Sequence, residues 1–158
     1  LDRIEDMMEL YRWSEWMDLF PVVLQCLPEQ DMIPVLECEE FNILAAPVQQ
    51  IIPTIGLRIE LLKSKKVLAY SCDTEPCPRV LSLAYGADVL IHEAAGLLPG
   101  HSSAEQAGKT AAQAEVSELY LIHYPTGKYA AGDLLSEART EFQGPVTLAD
   151  DFGSLSFD

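Results

Sequence analysis

At the start of the chain Ile4, Met7, Met8, Leu10, Tyr11 and Met17 recur near helical spacing with acids between them, which predicts an amphipathic helix over residues 2–19 ended by Phe20-Pro21. The short apolar runs PVVLQCL, IPVLECEE and FNILAAPV come next. Bounded by Pro, Glu and Asn, they read as strands at sheet edges or between turns. From residue 57 the rhythm is clearer. LRIELL (57–62) and VLAYSCD (67–73) are strand-like and joined by Lys63, Ser64, Lys65 and Lys66, a hairpin or tight connection. PRVLSLAYG reads as a helix closed by Gly86, and ADVLIHEA as a buried strand. SAEQAGKTAAQAE (103–115) is helix-forming, with Ser102 or Ser103 to cap its first turn and Glu105 close behind. SELYLIHY is another buried strand, GDLLSEARTEF another helix, and PVTLADDFGSLSF a closing strand pair. From residue 67 strand and helix alternate, so the expected architecture is layered α/β.

Composition narrows this picture. A chain of 158 residues, 49% of them hydrophobic, holds one domain or one large piece of a domain. It opens on LDRIEDMM with no initiator Met, basic segment or apolar signal core, so the true amino terminus is expected to lie upstream. No apolar run approaches the roughly 18 residues of a membrane span, so a soluble protein is expected. Cys72 and Cys77 lack the CxxC spacing of a zinc knuckle. With Cys26 and Cys38 they read as reduced, mostly buried thiols, which favours the cytoplasm. The formal net charge is −15, with only ten Lys and Arg in total. Binding to a phosphate backbone draws on such cations, so this segment is not expected to capture long nucleic acid unaided.

Asp73 follows the strand VLAYSC, Glu93 follows DVLIH, and His123 follows LYLI, all at the carboxyl ends of buried strands. In α/β proteins that edge gathers ligands, because strands hold side chains rigidly and loops leave space. All three histidines, His92, His101 and His123, fall in one stretch, and Asp with His makes a donor set suited to zinc, manganese or iron. Each residue also has an ordinary reading. Asp73 is a turn or cap residue, His92 a packed core histidine, and His101 and His123 are loop residues.

Read as strings, YSCDTEP, LIHEAAG, GHSSAEQAG and LYLIHYP, in that order and spacing, resemble the ribonuclease Z branch of the metallo-β-lactamase superfamily, whose forms are close to YSGDT-x-P, LIHEAT, GHSTAEQA and L-x-L-x-H. The upstream PVQQIIPTIGLRIE resembles that branch's PV-x-H-x-x-P-x-x-G-x-R-I segment. Coverage runs from about residue 43 to 151. The resemblance implies part of an αββα sandwich, the carboxyl-terminal part of one domain. It also implies that Asp73 bridges two metal ions, zinc by preference with manganese or iron as options, and that His123 is a terminal ligand. His101 matches the histidine that assists proton transfer near the scissile phosphate, and Glu93 the acid that orients it. The implied chemistry is hydrolysis by a metal-bound hydroxide, and homodimers are common in the family.

The departures bear on function. The H-x-H-x-D-H motif is absent, and its place lies before Leu1. Gln50 stands where the resemblance expects a histidine ligand, and an amide oxygen is a weak zinc ligand beside imidazole. Cys72 replaces the glycine before the aspartate, crowding a turn or offering a thiolate. The long arm that grips tRNA in this family is commonly inserted where only LLKSKK stands here. A phosphodiesterase acting on a small phosphodiester is therefore the leading expectation, with the segment alone inactive. A degenerate binding or structural member and a metal-dependent esterase or sulfatase are the rivals, and segment 19–36 is the candidate dimer surface.

Overall fold

The computed structural model describes residues 2–16, 22–127 and 132–157. Helix α1 (Asp2–Leu10) is shorter than expected. Arg12 adopts a left-handed φ of 50°, which breaks the helical ladder, and a single 3-10 turn at Trp13–Glu15 follows. Residues 17–19 and Phe20-Pro21 lie outside the described residues. The expected strand over PVVLQCL is absent from its described part, residues 22–27: Gln25 and Leu27 line a hollow with Ile33, Ala45, Ala46 and Ile55 instead of pairing along β1.

Seven strands form one sheet in sequence order: β1 (Ile33–Glu37), β2 (Phe41–Val48), β3 (Thr54–Leu61), β4 (Lys66–Tyr70), β5 (Val89–Glu93), β6 (Glu118–Ile122) and β7 (Val146–Leu148). β1 to β4 are antiparallel neighbours, and Leu62–Lys65 make the tight β3–β4 turn expected from the sequence. β4 to β7 are parallel. Their crossovers run through α2 (Pro78–Ala84), α3 (Ala104–Gln113) and α4 (Leu134–Arg139). Successive crossovers of one hand put all three helices on the same face. The PVTLADDFGSLSF segment supplies β7 only. Residues 153–157 form no strand: 154–157 lie beside Lys66, Asp88, Val89 and Glu118 at the amino ends of the parallel strands instead of along β7.

The core lies between that face and the helices. Ala69, Leu90, Leu119, Leu121 and Val146 of the sheet pack against Ala84, Ala104, Ala107, Ala111 and Ala138. Small residues allow the close approach: a Cβ on Gly108 would run into the backbone carbonyl of Ala138, so α3 and α4 touch main chain to main chain. Ser103 caps α3, and Gln106 rather than Glu105 closes its capping box. On the opposite face the registered row Leu57, Tyr70, Ile91 and Tyr120 is only half-buried. Lys66 and Asp88 pair at 2.7 Å at the amino ends of the parallel strands. Burial works against the Asp88 charge, but Lys66 and the Val67 amide outweigh it and hold the carboxyl below its ordinary range. The four cysteines are free, and Cys26 and Cys38 are exposed, not buried as expected, because they fall outside the packed face. Among the described residues no helix is long and apolar enough to cross a membrane.

Candidate metal centre

Because β4, β5 and β6 are parallel, Asp73, Glu93 and His123 come together at one edge of the sheet. Tight backbone turns carry the first and last of them. Cys72 and His123 sit at φ of 52° and 50°, left-handed values that a residue with a Cβ adopts at a cost of about 1–3 kcal/mol. At position 72 the strain follows from having Cys where the resembling string has Gly. The Cys72 thiol stands outside the cluster below. Burial pushes its pKa up, a bond from Tyr70 works the other way, and the Asp73 charge adds to the rise, so no ready thiolate is offered.

Asp73 Oδ1 lies 3.0 Å from His123 Nδ1, and both side chains are reachable from solvent. The His101 and His123 rings meet edge to face with centroids 5.4 Å apart. One donor atom from each of Asp73, His101 and His123 lies within 4.8 Å of the others. An ion bound at about 2.0–2.2 Å needs donors about 3–3.5 Å apart. The Asp73–His123 pair meets that spacing, and a carboxylate with an imidazole suits zinc, manganese or iron, with His101 close by as the third member of the cluster. The residues present fit a divalent ion.

Glu93 organises the site from below. Its side chain is 0% exposed. Oε1 accepts from Thr74 N at 3.2 Å, Ser102 N at 2.8 Å and His101 Nδ1 at 3.2 Å, while Oε2 accepts from Ala95 N at 2.8 Å. One carboxylate thus fixes the loop after β4, the loop after β5 and the His101 ring through its Nδ1. Its supporting groups escape a reading from sequence: Ser71 Oγ accepts from Glu93 N, and Ser102 Oγ donates to Thr74 O at 2.7 Å. Ser71, Thr74 and Ser102 are nearly or wholly buried. The only signal for them is that small polar residues flank each motif. The Gln50 amide is engaged elsewhere. Its Oε1 accepts from Ile51 N at 2.6 Å, and the amide packs where a Cβ on Gly100 would be.

His92 is the core histidine of its ordinary reading, fully buried, with Nδ1 bonded to Glu93 O at 2.8 Å and Nε2 without a partner. Burial holds its pKa below the ordinary 6.5, and the Glu93 carbonyl and charge only partly offset this. The unfolded chain therefore takes up this proton at a higher pH than the folded one. The stability concerned is complete above about pH 6.5 and is lost, at up to about 1.4 kcal/mol per pH unit, as pH falls towards the folded value. His92→Asn should flatten that decline between about pH 6.5 and 5, as checked by urea unfolding across the range. An unchanged slope would assign the acid sensitivity to other groups.

Carboxylate and imidazole donors cluster at the sheet edge above the parallel strands, an arrangement able to hold a divalent metal. Residues 22–124 match the beta-lactamase superfamily domain, and the chain belongs to that superfamily, in its ribonuclease Z-like branch. A ribonuclease Z of Brevibacillus brevis is 42% identical over 104 residues, covering 56% of this chain and 32% of that protein. An uncharacterized protein of Mycobacterium tuberculosis is 36% identical over 149 residues, covering 90% of this chain and 49% of that protein. Among solved structures, the metallo-β-lactamase fold protein YhfI from Bacillus subtilis superposes with a TM-score of 0.66 at 27% identity, over 78% of this chain and 50% of that one. Human tRNase Z, short form, shares the fold with a TM-score of 0.61 at 24% identity, over 79% and 46% of the two chains. The chain spans about a third to a half of the length of these curated relatives. Its sheet, covered by helices on one face, is the expected α/β part of the sandwich.

Proposed function

We propose that the protein containing this chain is a metal-dependent hydrolase that cleaves small phosphodiesters. The convergence of Asp73, His101 and His123 at the ends of parallel strands carries this reading. Asp73 and His123 hold the ion, with two zinc ions expected in the complete protein. When bound, the metal supplies Lewis acidity and activates water for attack. Glu93 keeps the His101 Nδ1 proton in place, so Nε2 is the nitrogen that exchanges a proton at the scissile group. The substrate side favours small esters over polyanions. The hollow beside His123 is lined by Tyr124, Thr126, Asp150 and Asp151, the chain carries −15, and only Leu62–Lys65 join β3 to β4. Ribonucleases Z are among the relatives of this chain, so tRNA is the first competitor substrate to include.

The turned-back amide of Gln50 supports a second reading, a degenerate member with a binding role, since it removes one expected ligand. Full-length protein loaded with zinc or manganese should hydrolyse bis-p-nitrophenyl phosphate and lose the activity in chelator. An aryl sulfate and a carboxylic ester in the same panel separate the esterase and sulfatase alternatives. No turnover of any substrate at any metal loading would leave only the degenerate reading.

A further inference from the structure

We infer that Glu75 is a positioning residue for the metal centre: its carboxylate ties the end of β2, the Asp73 loop and the His101 loop into one unit and so sets His101 against Asp73. The inference deepens the metal-site reading above and rests on it. Glu75 stands at the position that the resembling string YSGDT-x-P leaves open. Its Oε1 accepts from Gly100 N at 2.9 Å, immediately before His101. Its Oε2 accepts from Gln49 Nε2 at 2.8 Å, and its own amide donates to Gln49 O at 2.8 Å, closing an isolated bridge between the two segments. Gln49 N donates to Thr74 Oγ1 at 3.1 Å, so the end of β2 is also fastened to the residue next to Asp73.

Gly100 shows what this clamp requires. It is buried at φ +81°, with its amide on Glu75 and the Gln50 amide pressed where a side chain would start. The positive φ favours glycine there, and the backbone entering His101 is held by Glu75 on one side and packed by Gln50 on the other. Glu93 grips the same loop from beneath through Ser102 N and the His101 ring. Glu93 sets how the ring is turned, and Glu75 sets where the loop carrying it stands. Gln50 then has a defined place as packing for Gly100 in place of metal ligation, which accounts for an amide at a position where the resemblance expects imidazole.

The test uses full-length protein labelled with 15N-histidine, reading the His101 Nδ1–H signal and cobalt(II) affinity. Glu75→Ala should weaken the Nδ1–H signal through faster solvent exchange and lower cobalt affinity about tenfold, the size of an outer-shell loss. Glu75→Gln, which keeps an oxygen for Gly100 N, should restore both. Gln49→Ala, an exposed change that leaves Glu75 in place, should shift both in the same direction by less. A general loss of stability would move the unfolding midpoint without this pattern of rescue. The inference is overturned if Glu75→Ala and Gln49→Ala both leave the His101 signal and cobalt affinity at wild-type values, or if Glu75→Gln behaves like Glu75→Ala. Cobalt bound as tightly by Asp73→Ala as by wild type would sink the metal assignment instead, and the His101 signal would still judge Glu75.

Discussion

Replacing Glu93 by alanine is expected to remove about 4 kcal/mol of folding stability, a large part of the 5–15 kcal/mol typical of a domain. The side chain is 0% exposed and accepts from Thr74 N, Ala95 N, Ser102 N and His101 Nδ1. Truncation leaves these donors facing a cavity, and each orphaned buried donor costs about 1–3 kcal/mol before relaxation or entering water reduces the sum. Glu93→Gln is the sharper comparison. Its single oxygen can serve the Oε1 partners or Ala95 N, but not both, and its NH2 then opposes a backbone N–H. An intermediate loss of about 2 kcal/mol is expected. The urea midpoint of the two variants against wild type checks both figures. Wild-type stability in Glu93→Ala would show that water satisfies these donors and that the carboxylate is not what holds the two loops together.

Glu93 also shows how far the sequence could be read. Its place after a buried strand, and those of Asp73 and His123, were legible because β4, β5 and β6 are covered strands whose apolar runs end abruptly in polar residues. Parallel pairing then puts those ends on one edge, and the alternation of strands with helices predicts such pairing. The weight of Glu93 as a node was not legible. Its partners are mostly backbone amides, which carry no residue identity, with Ser71, Thr74 and Ser102 fastening the loops through hydroxyls that a sequence also places in any turn. The two overextended assignments have a common cause. Residues 22–27 and 153–157 have strand-like apolar patterns, but a strand also needs backbone pairing in register, and these segments instead line hollows beside the sheet, Gln25 and Leu27 with Ala45, Ala46 and Ile55, and residues 154–157 with Val89, Glu118 and Tyr120. Gln50 was recognised as a departure, yet its contact with Gly100 depends on a left-handed turn 50 residues further on and is visible only in three dimensions.

Asp73→Ala should have the opposite signature: function lost and stability kept. The Asp73 side chain is 41% exposed, and His123, whose Nδ1 lies 3.0 Å from it, is 51% exposed, so removing that contact should change stability by less than about 1 kcal/mol. The carboxylate is nevertheless one of the three donors within 4.8 Å. If the site holds the metal of a hydrolase, its loss withdraws transition-state charge stabilisation of several kcal/mol, and a loss of about 4 kcal/mol lowers turnover by roughly three powers of ten. Elemental analysis, bis-p-nitrophenyl phosphate hydrolysis and urea unfolding on the same full-length preparation check the three parts together. Reduced bound metal, activity down about a thousandfold and an unchanged midpoint are expected. A folded Asp73→Ala protein that keeps its metal and turnover would move the reacting centre away from these strand ends. The contrast with Glu93 follows from their surroundings: a carboxylate with four protein donors serves the fold first, and one left open to solvent beside an imidazole is available to a ligand.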